Sequence, residues 1–449
     1  MRCDIRLLLA LAVLVHGSIP LLAFAQAKPT REEKVRADKA KVEAEGFWIY
    51  NDLERGLALA KKTGKPLVVV LRCIPCEECV KLDDDLVESD PVVRPLLEQF
   101  VCVRIVGTNG LDLSLFQFDT DQSFAVFFLN ADKTIYGRFG TRSHRTEWVG
   151  DVSLKGLAKA LQGTLELHAA FKDVKSSLAG KRGAPPEFAT PEQLPALKSQ
   201  YGSRLDYSGN VVKSCIHCHQ IGDAQRVLHR TRSEPFPEEL IFPYPHPASI
   251  GLVLDPHERA TVKEVVPGSW GAEAGFQKGD EIQSLDGQPL LSMADVQWVL
   301  QQTSPEGGVV VAKIRRSGNT RELKLTLPAG WRRAGDISWR ASSWGFRRMT
   351  TGGMYLLDLT DEERASPRIP SSGLALKVKH VGEYGAHAAA KKAGFQKDDI
   401  VVSYDGRTEF TRESDLFQHG LTTHRPGDRI AVEVLRGDKR LTLQLPMQE

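Results

Sequence analysis

Residues 46–174 alternate between helix-like and strand-like hydrophobic patterns. Apolar residues recur at helical spacing over 51–62, and Gly64 and Pro66 then follow as an ordinary helix ending. A continuous aliphatic run over 67–71 indicates a strand that is buried on both faces. The same patterns predict further helices over 80–87, 91–99 and 154–170, and further strands over 100–106, 125–129 and 136–139. This order of elements predicts an α/β domain.

The pattern changes over residues 175–248, where Gly, Pro, Ser and His replace the aliphatic runs. This stretch contains Cys215-Ile216-His217-Cys218-His219, a C-x-x-C-H motif that is typical of c-type haem attachment. A short loop-rich segment buries too little apolar surface to form a stable core of its own, and a covalent haem would supply such a core. We therefore interpret the segment as a small, loop- and helix-rich, cytochrome c-like unit. Cys215 and Cys218 would bind haem c covalently, and His219 would bind its iron; a zinc site or a disulfide is the alternative.

The sixth iron ligand of such a haem is usually Met or His. Met349 and Met354 are candidates, because both lie in a Trp- and Arg-rich stretch, 329–368, that is predicted to be a linker. Arg347 and Arg348 in the same stretch could pair with haem propionates or simply face solvent. The rival ligands are histidines: His217, His229 and His246.

The C-terminal half contains a repeat. The stretch 274–282, of the form A-G-F-x-x-G-D-x-I, returns at 393–400, 119 residues later, and each copy precedes a strand and an Asp-Gly turn. So long a period suits two copies of one domain better than a solenoid. We expect mainly-β domains over 249–328 and 369–449.

The repeated stretch resembles PDZ domains. The resemblance implies that a Gly-containing loop binds the terminal carboxylate of a peptide, which then adds as a strand beside it. The expected residues are Gly251, Leu252 and Val253 in the first copy, and Gly373, Leu374 and Ala375 in the second. The opposite groove walls would be helices over 292–302 and 412–419. Domains that only dock internally or form dimers are the alternative.

Residues 64–71 and the C-x-x-C that follows resemble the active-site strand and redox turn of thioredoxin. The resemblance implies a redox pair at Cys76 and Cys79, with Cys73 and Cys76 as an alternative pair. Cys76 would be the nucleophile, because a helix N-terminus stabilises a thiolate. A copper or zinc site using all three cysteines remains open. Cys102, in an apolar strand, is expected to be a buried structural thiol.

The first 27 residues have the features of a signal peptide: Arg2 and Arg6, an apolar run over 7–15, and Ala25-Gln26-Ala27 at the cleavage positions. Residues 28–45 form a charged leader. No later segment is long and apolar enough to predict a membrane span. The net charge of +2 argues against a general nucleic-acid-binding role. We expect a periplasmic or secreted protein.

The whole arrangement resembles an exported bacterial family that joins a thioredoxin-like domain to PDZ domains, some of whose members carry selenocysteine in the redox pair. The leading hypothesis is a redox protein that couples thiol–disulfide chemistry to a c-type haem. Its PDZ domains would bind a partner or a peptide C-terminus, and its redox partner protein stays unidentified. The alternative is an envelope PDZ scaffold or quality-control adaptor with structural or metal-binding cysteines. A serine protease is not expected, because no Gly-rich nucleophile segment with Ser, His and Asp partners precedes the PDZ copies.

Overall fold

The computed structural model describes residues 29–72, 90–122, 124–141, 152–232, 234, 236–366 and 368–449. The predicted signal peptide lies outside these residues. So do Cys73, Cys76 and Cys79, which carry the predicted redox pair. Arg72 is the last described residue before that cysteine segment.

The charged leader forms a helix, Arg31–Glu45 (α1). Thr30 and Glu33 make a capping box at its start, and Gly46 ends it with a left-handed φ of 68°. Val35 and Val42 are buried, so the leader packs against the protein. Its Asp38 Oδ1 accepts a hydrogen bond of 2.5 Å from Arg72 Nη2.

The first domain is a mixed five-stranded sheet in the order β1-β3-β2-β4-β5. The strands are Ile49–Tyr50 (β1), Leu67–Arg72 (β2), Val101–Ile105 (β3), Phe124–Leu129 (β4) and Ile135–Thr141 (β5). β1, β3 and β2 run parallel, whereas β4 and β5 join antiparallel. The described helices of this domain are Leu53–Thr63 (α2), Val93–Leu97 (α3) and Leu154–Ala169 (α4). All six residues of β2 are buried, as the aliphatic run predicts.

Residues 175–248 do not form an independent unit. After Phe171–Val174 (α5), the segment contains Pro195–Lys198 (α6), Val211–Ser214 (α7), Cys218–Arg232 (α8) and Glu238–Ile241 (α9). Leu197, Ile216 and Ile221 belong to the same buried cluster as Val69 and Phe127 of the first sheet. The cytochrome c-like segment is thus not what the structure shows, because the sheet supplies the core that a haem was expected to supply.

The first PDZ unit consists of a hairpin and a four-stranded sheet in the order β11-β10-β8-β9. The hairpin strands are Leu252–Leu254 (β6) and Val262–Val265 (β7). The sheet strands are Glu281–Leu285 (β8), Gln288–Pro289 (β9), Gly308–Arg316 (β10) and Asn319–Leu327 (β11). Its helices are Trp270–Glu273 (α10) and Met293–Gln302 (α11).

The second PDZ unit is a five-stranded antiparallel sheet in sequential order. Its strands are Met354–Asp358 (β12), Leu376–Val381 (β13), Ile400–Tyr404 (β14), Arg429–Arg436 (β15) and Lys439–Pro446 (β16). Its first strand is preceded by the helix Ser343–Thr350 (α12). The other helices are Asp361–Arg364 (α13), Ala389–Lys392 (α14) and Glu413–Thr423 (α15).

The prediction of a linker over 329–368 is therefore wrong. This stretch supplies α12 and the edge strand β12, and Trp331, Arg332, Arg340 and Arg347 are all buried. Arg340 Nη1 lies 2.8 Å from Asp119 Oδ1 and 3.1 Å from Asp121 Oδ2, which ties the stretch to the first domain. Arg347 pairs with Glu413 inside the second unit, and Trp331 belongs to the core of the first.

None of the helices in the described ranges has the length and apolar character that crossing a bilayer requires.

Candidate functional site

The C-x-x-C-H motif lies beside the first sheet. Cys215 follows α7, and Cys218 begins α8. The loop after β3 holds the residue between them: Asn109 Oδ1 accepts a hydrogen bond of 2.8 Å from Ile216 N, and Thr108 N donates one of 3.0 Å to Ile216 O. A small cleft joins the motif to the end of β2, because Leu71 and Arg72 line it together with Cys218.

Both motif thiols are held in packed protein. Cys215 is 5% exposed, and its Sγ lies 3.9 Å from Val106 O. Burial raises the pKa of Cys215 to about 12, and burial with a smaller contribution from Cys215 raises the pKa of Cys218 to about 12. Reactive and ligating cysteines need the thiolate, which such pKa values disfavour at neutral pH.

Among the described residues, the cleft beside the motif is smaller than a haem would need. The cleft beside Cys218 holds about 10 Å³, which is room for about one water molecule. Pockets that hold cofactors measure about 300 Å³ or more. His219 is exposed and stacks on His217, with ring centroids 5.7 Å apart. Burial, with a smaller contribution from His219, lowers the pKa of His217 to about 4. Covalent haem on Cys215 and Cys218 stays a prediction without structural support.

The predicted sixth ligands have other places in the fold. Met349 and Met354 are 2% and 1% exposed and belong to two hydrophobic clusters of the C-terminal half. His229 Nδ1 lies 3.3 Å from Glu234 Oε2, and His246 Nδ1 accepts a hydrogen bond from Ala248 N. The two methionines therefore fill cores, because the stretch that carries them is folded and is not a linker.

Cys102 is buried on β3, as predicted. Its thiol donates to Leu97 O at 3.4 Å. Burial raises the pKa of Cys102 to about 12, so this cysteine is a structural thiol.

The first PDZ unit has the predicted loop at the predicted place. Gly251 has a left-handed φ of 82°, and its carbonyl accepts a hydrogen bond of 2.9 Å from Val266 N. Among the described residues, β6 pairs with β7 and with no other strand. No residue outside this hairpin donates to or accepts from Leu252–Leu254 within the described part of the chain. The other edge of β6 is therefore open to a further strand.

The helix opposite β6 is held by the rest of the chain. Ser292 Oγ donates to Arg138 O of the first domain, and Trp298 Nε1 donates to Gly180 O. Asp295 Oδ1 lies 2.8 Å from Lys181 Nζ, and both side chains are almost fully buried. These contacts fix α11, one wall of the expected groove, against the thioredoxin-like domain.

The carboxylate-binding loop of the second unit is not at Gly373, Leu374 and Ala375. Leu374 and Ala375 are core residues, and Leu374 N donates to Thr408 O. The residue equivalent to Gly251 is Gly353, with a φ of 88°. Its carbonyl accepts a hydrogen bond of 3.0 Å from Gly382 N, and Met354 pairs with Val381 as Leu252 pairs with Val265.

A sequence signal for this loop existed. Gly251 and Gly353 are each followed by a hydrophobic residue, and then by a leucine three positions after the glycine: Leu254 and Leu356. The match is easy to miss because the hairpin loop between β12 and β13 is 17 residues long, counted as 359–375 between the printed strand ends. The corresponding loop of the first unit runs only from 255 to 261.

The groove of the second unit contains residues of the protein itself. Glu413, at the start of α15, accepts a hydrogen bond of 2.9 Å at Oε1 from Leu356 N on β12. Arg347 of α12 donates to the same carboxylate, at 2.9 Å from Nε and 2.5 Å from Nη2. Phe346 packs on Phe417 with ring centroids 5.8 Å apart. Burial raises the pKa of Glu413, and the contact with Arg347 opposes that shift.

Comparison with protein families supports this division of the chain. A thioredoxin-like family model matches residues 48–131, and two PDZ models match residues 261–316 and 377–447. Both PDZ matches begin after the Gly-containing loops. The chain thus has a thioredoxin-like domain followed by two PDZ domains, which we call PDZ1 and PDZ2.

Two curated relatives are periplasmic proteases. The chain is 30% identical over 190 residues to the periplasmic pH-dependent serine endoprotease DegQ of Escherichia coli (strain K12), covering 42% of this chain and 37% of that protein. It is 26% identical over 200 residues to a probable periplasmic serine endoprotease DegP-like of Pseudomonas savastanoi pv. phaseolicola (strain 1448A / Race 6), covering 44% of this chain and 39% of that protein. The chain therefore spans less than half the length of either relative. A solved HtrA-type protease AlgW with decapeptide is 17% identical, with a TM-score of 0.20, over 31% of this chain and 44% of that one.

Proposed function

We propose that this protein is an exported adaptor that captures the C-terminal segment of a partner protein on PDZ1. The open edge of β6 carries the proposal, since it presents backbone groups that an added strand would bind. Gly251, in its left-handed conformation, lies at the start of that edge, where the terminal carboxylate of the peptide would sit. The thioredoxin-like domain and PDZ2 form the body that holds PDZ1 in place.

The side chains beside β6 favour an apolar final residue in the bound peptide. Leu252 and Leu254 belong to the same buried cluster as Met293 and Leu300 of α11. A peptide side chain that enters between strand and helix would therefore meet hydrocarbon. The backbone hydrogen bonds of the added strand would supply affinity, and this apolar contact would supply selectivity.

The cysteines at 215 and 218 are proposed to be structural thiols of this adaptor, as the alternative hypothesis holds. Cys215 is buried and Cys218 is half-buried, and the raised pKa values of both thiols support this role. Periplasmic relatives of partial length support an envelope location. Thiol–disulfide exchange at Cys76 and Cys79 stays a prediction. The thioredoxin-like domain supports it, because such exchange is the chemistry of that fold.

Peptide binding tests the proposal. A fluorescent peptide with an apolar final residue and a free carboxylate should bind the full chain, and its C-terminal amide should bind at least about tenfold more weakly. Gly251→Ala should weaken binding by at least about tenfold, because a Cβ there would lie 2.0 Å from Ser269 Oγ and would strain the loop. A pool of such peptides without any measurable binding would contradict the proposal.

Gly268→Ala is the matched control. Gly268 also has a positive φ, 72°, but a Cβ there meets no atom within 4 Å. Binding should survive this change, so equal loss in both variants would assign the effect to general strain.

Thiol labelling tests the structural role of the motif cysteines. In a variant with Cys73, Cys76 and Cys79 changed to Ser, native protein at pH 8 should react with a thiol reagent about a thousandfold more slowly than unfolded protein. The reason is that a pKa of about 12, against the usual value of 9.0, lowers the thiolate fraction by that factor. Fast labelling of Cys215 or Cys218 in the native protein would contradict a structural role.

A further inference from the structure

We propose that Asp405, His419 and His424 form a divalent-metal site on PDZ2, with Zn²⁺ as the best-suited ion. One carboxylate oxygen, Asp405 Oδ2, lies 2.8 Å from His419 Nε2 and 2.8 Å from His424 Nε2. The three ligand atoms lie within 4.8 Å of one another. Two imidazole nitrogens and one carboxylate oxygen are a ligand set that Zn²⁺ takes, with water as the fourth ligand.

The three side chains come from elements that the fold holds rigidly. Asp405 lies in the tight turn after β14, with a φ of 54°, and its backbone N donates to Ala431 O at 2.9 Å. His419 is on α15 and is 6% exposed, and His424 is the residue that follows the end of this helix. A bound ion would therefore join the turn and the helix without a large movement of either.

The distances allow an ion to enter with small adjustments. Ligand atoms about 2.0–2.1 Å from a tetrahedral zinc ion lie roughly 3.3 Å from each other. The present contacts of 2.8 Å between Asp405 and the two histidines would lengthen by about half an ångström. Both imidazoles would then bind through Nε2, each with its proton on Nδ1.

Partners for those Nδ1–H groups are already present. His419 Nδ1 lies 3.3 Å from Thr423 Oγ1, and His424 Nδ1 lies 3.7 Å from Asp428 Oδ2. Zinc-bound histidines ordinarily donate their second ring N–H to such an oxygen, which orients the ring and raises its basicity. Moving the proton from Nε2 to Nδ1 releases no proton and needs no further reactant.

PDZ1 shows that the PDZ fold does not need this cluster. Its equivalent turn holds Asp286, with a φ of 45°, whose Oδ1 accepts a hydrogen bond from Val311 N. Counted forward from the aspartate shared by both helices (Asp295 and Asp415), Val299 occupies the place of His419. The histidines are therefore an addition specific to PDZ2.

Zinc titration of the full chain without a polyhistidine tag tests the proposal. His424→Gln should bind one zinc ion fewer than the unaltered chain, or bind that ion more than about 100-fold more weakly. Loss of a group that only hydrogen-bonds to a ligand weakens zinc binding by about 10–100-fold, so a larger effect marks His424 as a ligand. Any ion held by cysteines is common to both proteins and cancels in this difference. Equal zinc binding by both proteins would overturn the proposal and leave a hydrogen-bonded cluster.

Two further proteins complete the experiment. His380→Gln changes an exposed histidine of the same domain and should keep the full zinc content. Asp405→Asn keeps an oxygen acceptor but loses the charge. The unaltered chain should show a zinc-induced rise in melting temperature, and Asp405→Asn should lose it. An equal rise in Asp405→Asn would also overturn the proposal, and its melting temperature without zinc reports whether it is folded.

Discussion

PDZ1 and PDZ2 share a fold and a Gly-containing loop, but they differ in whether a side chain of the protein binds the backbone of the strand after that loop. In PDZ1, β6 pairs with β7 alone within the described residues. In PDZ2, Glu413 accepts the backbone N–H of Leu356 on the equivalent strand, and Arg347 neutralises that carboxylate. A repeat in the sequence is therefore not a repeat of the binding site, because in PDZ2 a side chain of the domain itself accepts a backbone N–H of the strand.

The two units also differ in what holds them. The helix of PDZ1 is tied to the thioredoxin-like domain through Asp295, which accepts a hydrogen bond of 3.1 Å from Arg138 N, and to the segment after that domain through Lys181. The helix of PDZ2 is covered by α12, a helix of PDZ2's own lead-in segment, through Phe346 and Phe417. The helix of PDZ1 is thus held by the first domain, whereas the helix of PDZ2 is covered by the helix that leads into PDZ2. Four measurements test this contrast.

The largest loss of unfolding free energy is expected for Arg347→Ala. The change leaves Glu413 buried without its cationic partner, which costs about 3–5 kcal/mol of unfolding free energy. It also removes the guanidinium that lies 4.3 Å from the ring centroid of Tyr355. Denaturant unfolding followed by near-UV circular dichroism measures this loss.

Two variants control for Arg347→Ala. The neighbouring Arg348, only partly buried, contacts the chain terminus, and its change to Ala should cost about 1 kcal/mol or less. The double variant R347M/E413Q removes both charges but keeps an acceptor for Leu356 N, so it should recover most of the loss. If R347A were as stable as R348A, closure of PDZ2 by this ion pair would be refuted.

A somewhat smaller effect is expected for Lys181→Met. Asp295 would lose its cation but keep hydrogen bonds from Arg138 N and Leu291 N, so we expect a loss of about 3 kcal/mol. Lys175→Ala, which removes an exposed pair with Asp132, should cost less than about 1 kcal/mol. Urea unfolding of both variants measures the difference, and equal costs would show that PDZ1 is not fixed by the Lys181 contact.

The smallest effect is expected for Glu413→Gln alone. The amide oxygen still accepts from Leu356 N, and Arg347 keeps its hydrogen bonds to Ser343 Oγ and Ser338 O. We expect a loss of about 1–3 kcal/mol, as for a hydrogen bond to a charged group, and no second peptide site. Isothermal titration should still give one peptide per chain; a stoichiometry of two would mean that the Glu413 charge alone keeps PDZ2 closed.

Periodic and composition-based patterns predict much of this fold. The buried run of β2 and the amphipathic α2 are found where expected, because local hydrophobic spacing determines them. The Gly251 loop is also where the PDZ resemblance places it. The start of PDZ2 is misplaced, since a long hairpin insertion separates Gly353 from the part of the domain that repeats visibly.

Long-range contacts explain the other differences. The cytochrome c-like interpretation assumes that residues 175–248 must find their own core, but Ile216 and Ile221 pack on a sheet formed more than 85 residues earlier in the chain, by strands such as Phe124–Leu129. The linker interpretation treats arginines as solvated, yet Arg340 and Arg347 are paired in the interior with carboxylates far away in sequence. The Asp405 cluster brings together a turn and the end of a helix, and no sequence motif of fixed spacing predicts that these side chains lie close to one another.

Hydrogen exchange of the peptide complex shows whether a bound peptide occupies the edge of β6 and leaves β12 unchanged. With a saturating peptide that ends in a free carboxylate and an apolar residue, the amides of β6, Leu252–Leu254, should exchange more slowly, because the added strand binds that edge. The amides of β12, Met354–Asp358, should exchange at the same rate with and without peptide. Slower exchange in β12, or unchanged exchange in β6, would contradict the account.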